Sequence, residues 1–338
     1  MNTRSGCIKV LDHYYESDYL QNIARVTNSE LRIFLLDEFY IPIFCKPGSF
    51  GTIINSSPFF GSHGGFRLHN NANFRDCVKK TFEEIIDFTV GSEIAAVTLV
   101  ENPYASSEEI AINRKFQLAL SNSIADPCMK TKRFSAVLHL DSITDEEHLI
   151  RTYHQKTRNC LRKFFKTGAQ IKSISANAPE ADYALEWIAD EHIKGLKDKS
   201  GIYKPKSYFQ NLREDFEAAR FEVRLCSLEG EDVAGLINFR CGNETEYWTP
   251  VITKEGREIN ALYGLIHDSA NDILGREGAI LNFGGSWETQ HDLLRFKQRF
   301  GAEIKEYKYR TYILNTDLLA LSPLTLQADY PFFFVRPY

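Results

Sequence analysis

A helix is predicted around Ser17 to Arg25, followed by two apolar runs, Leu31 to Leu36 and Phe39 to Cys45. Asp37-Glu38 separates the runs and Lys46-Pro47-Gly48 ends them, the pattern of a β-hairpin. Phe74, Val78, Phe82, Ile85 and Ile86 keep a helical spacing that Gly91 stops, which predicts a helix ahead of a strand from Ile94 to Val100. A second helix is predicted from Ser107 to Leu120, and a strand from Phe134 to Leu140 closes the first half. Thr144-Asp145-Glu146-Glu147 is a capping-box pattern. It predicts one long helix whose apolar face runs Ile150, Tyr153, Thr157, Leu161 and Phe164 and which Gly168 terminates.

The second half has a plainer order. It predicts a strand at Gln170 to Ile174 and helices at Glu180 to Leu196 and from Ser207 to Ala219. Three strands follow at Phe221 to Leu228, Val233 to Cys241 and Glu244 to Thr253. Glu229-Gly230-Glu231 and Gly242-Asn243 are turns short enough to make these strands antiparallel neighbours. A helix at Arg257 to Leu274, a strand at Ala279 to Phe283, a helix at His291 to Phe300 and a strand at Lys305 to Ile313 complete the series.

At 338 residues without a Pro/Gly/Ser-rich linker, the chain is expected to form two closely packed domains, residues 1–143 and 144–338. Hydrophobic residues at 43% and charged residues at 25% exclude disordered, collagen-like and disulfide-scaffold classes. No signal-like apolar stretch opens the sequence, and no run reaches the roughly 18 to 20 apolar residues of a spanning helix, so a cytoplasmic protein is expected. Seven cysteines are odd in number, widely spaced and without metal spacing, and read as reduced, mostly buried thiols. No metal pattern is present. A net charge of -5 argues against general nucleic-acid coating. The charge is uneven, however: from Arg151 to Lys172 stand seven basic residues and no acidic one.

The second half's order is that of the GNAT acyltransferase fold. More specifically, Leu281 to Glu303, LNFGGSWETQHDLLRFKQRFGAE, resembles the FemABX family's strand, Gly-Gly turn, helix and Phe-Lys…Phe-Gly-Ala ending. Asn55 to Gly65, NSSPFFGSHGG, is similar to that family's N-terminal Ser-x-Pro segment, and Lys156 to Ile171 to the basic helix leading into its second domain. The resemblance implies an α/β protein with mixed sheets and two tandem GNAT-like domains, the C-terminal one catalytic. It implies acyl or aminoacyl transfer to an amine of a cell-envelope, peptidoglycan or surface-polysaccharide precursor. The co-substrate would be acyl-CoA or aminoacyl-tRNA, with no permanently bound cofactor and a nucleotide- or lipid-linked amine as acceptor.

Such chemistry needs a neutral amine, a positioned ester or thioester carbonyl, and positive character where the oxyanion develops. By the GNAT order the donor site falls between Trp248-Thr249-Pro250 and the segment Asn282 to Trp287, with Gly284, Gly285, Ser286 and Phe296 also expected at the donor. The resemblance places Lys297 near the reacting ester; its other reading is a solvated lysine on an amphipathic helix beside the apolar face of Leu293, Phe296 and Phe300. His291 and Glu288 are candidates for proton removal, and equally a surface histidine and a helix-start carboxylate. Ser62, His63 and Gly64 fit a loop lining an acceptor cleft, or a packed hairpin corner. Arg158 and Arg162 of the basic island, with Lys204 further on, would suit phosphate groups, or form a solvated face.

Two departures bear on the donor. Lys254-Glu255-Gly256-Arg257-Glu258 stands where a CoA-binding GNAT carries a Gly-rich pyrophosphate loop, and the last helix has no tyrosine. The expected function is an N-acyltransferase using acyl-CoA. The alternatives are an aminoacyl-tRNA-dependent transferase and a non-catalytic binding protein on the same scaffold. The aromatic tail, Tyr330 to Tyr338, is expected to dock on the protein's own core; a peripheral membrane contact is its other reading.

Overall fold

The structure, a computed structural model, describes residues 16–59, 61–68, 77–124, 128–197 and 201–336. Cys7, Phe60, Phe74, Lys199, Pro337 and Tyr338 lie outside the described residues. Along the chain run α1 (Ser17–Thr27), β1 (Glu30–Leu36), β2 (Phe39–Lys46), β3 (Thr52–Asn55), β4 (Arg67–Leu68), β5 (Cys77–Lys79), α2 (Phe82–Thr89), β6 (Ile94–Val100), α3 (Ser107–Ser123) and β7 (Cys128–His139). There follow α4 (Glu146–Thr152), α5 (Gln155–Phe164), β8 (Gln170–Ser175), α6 (Ala181–Lys197), α7 (Lys206–Asp215), β9 (Phe221–Leu228), β10 (Glu231–Cys241) and β11 (Glu244–Ile252). The last elements are α8 (Lys254–Glu258), α9 (Ala261–Asp272), β12 (Ile280–Trp287), α10 (His291–Gln298), β13 (Glu303–Ile313) and α11 (Pro323–Asp329).

The chain forms two compact units. Among the described residues, one holds 16–134 together with Lys305 onward; the other holds Ser135–Ile304. Among the described residues the chain therefore changes unit twice, within β7 and within β13. In the first unit the strand order is β5-β1-β2-β3-β6-β13, with β3 parallel to β6 and β13 antiparallel to it. Its core gathers Phe34, Ile41, Ile43, Phe66, Phe116 and Tyr312. The aromatic tail docks here. Tyr330 and Phe333 are wholly buried, the Phe332 ring lies 4.9 Å from that of Phe59, and Thr98 Oγ1 donates to Phe334 O at 2.8 Å.

In the second unit the order is β12-β11-β10-β9-β8, antiparallel throughout except for the parallel pair β11–β12. Side chains alternate across this sheet. One face, with Leu236, Tyr247, Leu281 and Phe283, joins Phe164, Leu265 and Phe300 in the main core beneath α5 and α9. The opposite face, with Leu225 and Gly235, meets Trp187 and Ile188 of α6. A Cβ at Gly235 would stand 3.1 Å from Trp187 and 3.2 Å from Ile188, so α6 packs closely over this glycine.

Three expectations need correction. The helix predicted from Phe74 begins only at Phe82, because Thr81 and Glu84 form a reciprocal capping box; Val78 stands on β5, 49% exposed. The single helix predicted from Thr144 is two, and its N-cap is Asp145, whose side chain accepts from His148 N. Between α4 and α5, Tyr153 is extended and the His154 N–H donates to Arg299 O at 2.8 Å. The helix predicted from Arg257 is likewise divided, with Asn260 in the left-handed region at φ 62° between α8 and α9.

Candidate active site

β11 and β12 are ladder partners only at Glu244–Ile280, Thr245–Leu281 and Glu246–Asn282, although the strands continue to Ile252 and Trp287. Local backbone conformation explains the parting. Thr249 has φ 47°, and the register with β10 slips from Ile237–Trp248 to Gly235–Val251, a β-bulge that bends β11. On β12, Gly284 has φ 65°, a conformation that suits glycine, and a Cβ there would stand 3.2 Å from Glu246 Oε1. The result is a fork whose facing backbone groups are not used by the β11–β12 ladder.

The alternation of β11 puts Glu244, Glu246 and Trp248 on the α6 side of the sheet, while Tyr247 turns the other way, its ring 5.7 Å from Phe283. Glu246 is wholly buried and Glu244 nearly so. Asn282 ties the two strands together: its Nδ2 donates to Glu244 Oε1 at 2.6 Å, and its Oδ1 accepts from Gly284 N at 2.8 Å. Lys204, in the loop between α6 and α7, reaches the same face, with Nζ 4.9 Å from the Trp248 ring centroid. Burial lowers its ammonium to about 8, against the opposing pull of Glu246. His192 on α6 accepts the Lys204 backbone N–H at Nε2 (3.0 Å), and burial, then Lys204, hold it down to about 3, so it is neutral. The buried Tyr208 of α7 completes this face, its hydroxyl raised by burial.

The other side of the fork is held by Lys297. It is the one residue of α10 that is buried, at 2% exposure. Its Nζ donates to Ser286 Oγ at 2.8 Å, to Gly284 O at 3.1 Å and to Gly285 O at 3.4 Å. The ammonium thus sits on the Gly-Gly-Ser segment where β12 leaves β11.

The sequence-predicted residues divide accordingly. Trp248, Thr249, Asn282, Gly284, Gly285, Ser286 and Lys297 lie at the fork, and Lys204 joins them there rather than joining Arg158 and Arg162. Phe296 turns into the core, 5.4 Å from Tyr263 and 5.3 Å from Phe300. His291 and Glu288 are exposed. Arg158 and Arg162 lie on α5, which packs against α9 on the opposite face. Arg158 Nη1 donates to Tyr153 O at the end of α4, and Arg162 to Asn159. In the first unit, Ser62, His63 and Gly64 form a buried loop after β3. Tyr309 and Arg133 both donate to Gly61 O, and the His63 ring lies 5.4 Å from Tyr104. Sequence reasoning passed over Glu244, Glu246, His192 and Tyr208. The available signal was two carboxylates at a spacing of two in a strand with no other charged residue.

Residues 151–308 match the family model described as an acetyltransferase (GNAT) domain, so the second unit carries a GNAT domain and the protein is a transferase. No curated protein sequence matches the chain. Among solved structures it is similar to FemX, at 12% identity and a TM-score of 0.63 over 90% of this chain and 92% of that one. It is also similar to the C-terminal domain of a protein described as a lysylphosphatidylglycerol synthetase from Agrobacterium fabrum, at 12% identity and a TM-score of 0.56 over 95% of each chain. A conserved Bacteroides thetaiotaomicron protein of unknown function gives 11% identity and a TM-score of 0.56 over 88% of this chain and 89% of that one. These likenesses show that the chain has the FemX-like α/β fold. No helix among the described residues is long and apolar enough to cross a membrane.

Proposed function

We propose that the protein transfers an acyl or aminoacyl group from an activated donor to an amine of a cell-envelope precursor, with the donor carbonyl held in the fork between β11 and β12. The observation that carries this reading is the buried Lys297 ammonium on Gly284–Ser286, at the point where the two parallel strands part. The amine attacks the carbonyl, a C–N bond forms, and the C–O or C–S bond to the carrier breaks. Lys297 stands where a cation can stabilise the oxyanion, and its long bond to Gly285 O is the one most readily exchanged for it. The proton of the incoming ammonium has the buried Glu246 carboxylate at hand, beside Lys204, whose ammonium burial lowers to about 8. Glu288 and His291, both exposed, are less suited to that role. The acceptor-loop reading of Ser62, His63 and Gly64 and the phosphate reading of Arg158 and Arg162 rest on the family resemblance.

A specific observation favours aminoacyl-tRNA over acyl-CoA as the donor. The Gly256 N–H, where a CoA pyrophosphate would be cradled, donates to Thr253 Oγ1 at 3.1 Å. A Cβ on Gly256 would stand 2.2 Å from Val233 O, so this turn is packed shut against β10.

Calorimetric titration with acetyl-CoA, longer acyl-CoAs, and charged and uncharged tRNA at two salt concentrations tests the reading. Binding of charged tRNA that weakens steeply with salt supports the aminoacyl donor. Saturable binding of acyl-CoA that is lost on Trp248→Ala supports the acyl-CoA donor. No binding of either sinks the transfer reading at this fork.

A further inference from the structure

Of the seven basic residues from Arg151 to Lys172, two pair with carboxylates: Arg151 with Glu147 and Lys172 with Glu180, each at 2.9 Å. The other five, Lys156, Arg158, Arg162, Lys163 and Lys166, belong to α5 and the turn that ends it, and make no ion pair among the described residues. Elsewhere on this unit Lys194, Lys206, Arg213, Arg276 and Arg295 each hold a carboxylate. The acids nearest α5 are already engaged. Glu146 of α4 holds His267, Asp145 caps α4, and on α9 Asp268 holds Arg224 while Asp272 holds Arg240.

Within the five, the arginines and the lysines differ. Arg158 Nη1 donates to Tyr153 O and Arg162 Nη1 to Asn159 Oδ1, so both guanidinium groups are bonded to the chain itself. The three lysines are exposed; Lys156 and Lys163 stand seven apart on one flank of the helix, and Lys166 follows one turn on. Phe165 adds an apolar ring beside these charges. It is 53% exposed, the one exposed phenylalanine among the described residues.

We propose that the outer face of α5 docks on an anionic lipid bilayer, with Lys156, Lys163 and Lys166 drawn to acidic headgroups and the Phe165 ring entering the boundary between headgroups and acyl chains. Charge complementarity favours this partner. Lysine is a point charge that demands no particular geometry, which suits a diffuse layer of headgroups, whereas a nucleic-acid backbone is better held by free guanidinium forks. The whole chain carries a net charge of -5, so the surface outside this face is more acidic still, and repulsion of the remainder turns α5 toward the membrane. The aromatic tail does not supply this contact, since Tyr330 and Phe333 are wholly buried.

The test is sedimentation of the full-length protein with vesicles of phosphatidylcholine alone and with about a third phosphatidylglycerol, at low and moderate salt. Binding to the acidic vesicles and not to the neutral ones is expected, with release as salt rises toward about 0.5 M. Lys156→Glu with Lys163→Glu and Lys166→Glu should weaken it at least about a hundredfold, and changing the same three to arginine should leave it unaltered. Phe165→Ser should weaken binding about fivefold without changing its salt dependence. Circular dichroism should find every variant folded, because these side chains are exposed. Equal binding to neutral vesicles, or binding that survives the triple charge reversal, overturns the proposal. Retention of uncharged tRNA that the triple reversal abolishes, with no vesicle bound, also overturns it and assigns the face to nucleic acid. Unchanged binding by Phe165→Ser overturns the entry of the ring. Vesicle binding is read with neither donor nor acceptor present, so failure of the transfer reading would leave it intact.

Discussion

The second unit holds two groups of lysines that contrast in almost every physical respect. On α5 and just beyond it, Lys156, Lys163 and Lys166 are exposed, while Thr157, Leu161 and Phe164 bury the other side of the helix. At the fork, Lys204 ends over an aromatic face and Lys297 beside buried oxygens. The first group dominates the sequence and is chemically ordinary. The second is set apart by burial, because a low-dielectric setting magnifies every interaction of a charge and penalises the charge itself.

The sharpest way to break this contrast is Lys297→Ala. It leaves Ser286 Oγ, Gly284 O and Gly285 O without their shared donor and opens a cavity, and it should cost about 3 kcal/mol in a urea titration. A loss under about 0.5 kcal/mol would mean that the ammonium is not held as described. Next in size is Gly264→Ala. Its Cβ would stand 2.3 Å from the Phe164 ring, so it should push α5 off α9 at a cost of about 2 kcal/mol, read as a lowered melting temperature.

A smaller effect is expected at Lys204, and its sign follows from the lowered ammonium. Between about 8 and the usual lysine value near 10.4 the unfolded chain binds more protons at this residue, so stability gains with rising pH there. Below about 8 the full cost of the buried charge is present. Lys204→Met should therefore remove a gain of about 1 kcal/mol between pH 8 and 10, reduced from the full shift because solvent reaches part of this side chain. Denaturation curves of both proteins at the two pH values measure the difference. Smallest of all, Lys163→Glu with Lys166→Glu should move stability by less than about 0.5 kcal/mol, since neither solvated charge has a buried partner to lose.

Much of the fold is legible without coordinates, for identifiable reasons. The hairpin of β1 and β2 follows from two apolar runs and a two-residue polar break, and the antiparallel series β9 to β11 from turns too short for anything else. The start of α2 was also readable, since Thr81 and Glu84 stand three apart ahead of an apolar stretch; the helical spacing upstream of Thr81 overrode that local signal and misled. The break between α4 and α5 was not readable, because the acceptor for the His154 N–H is Arg299 O, far away in the chain.

At the site, the Gly-Gly turn and Lys297 were found through the family likeness, while helix geometry alone put Lys297 at the margin of the apolar face. The segment Glu244 to Trp248 shows its two-residue alternation openly, but which face meets α6 depends on the pairing of β11 with β10 and β12. By itself the sequence determined the order of elements, the GNAT-like second half and the residue types available for transfer chemistry, since these depend on periodicity and short-range turns. Tertiary structure alone decided that β11 and β12 part at Glu246 and Asn282, that Lys204 crosses to Trp248, and that Lys297 is buried. Each of these depends on packing between residues distant in the chain, and no local pattern encodes it.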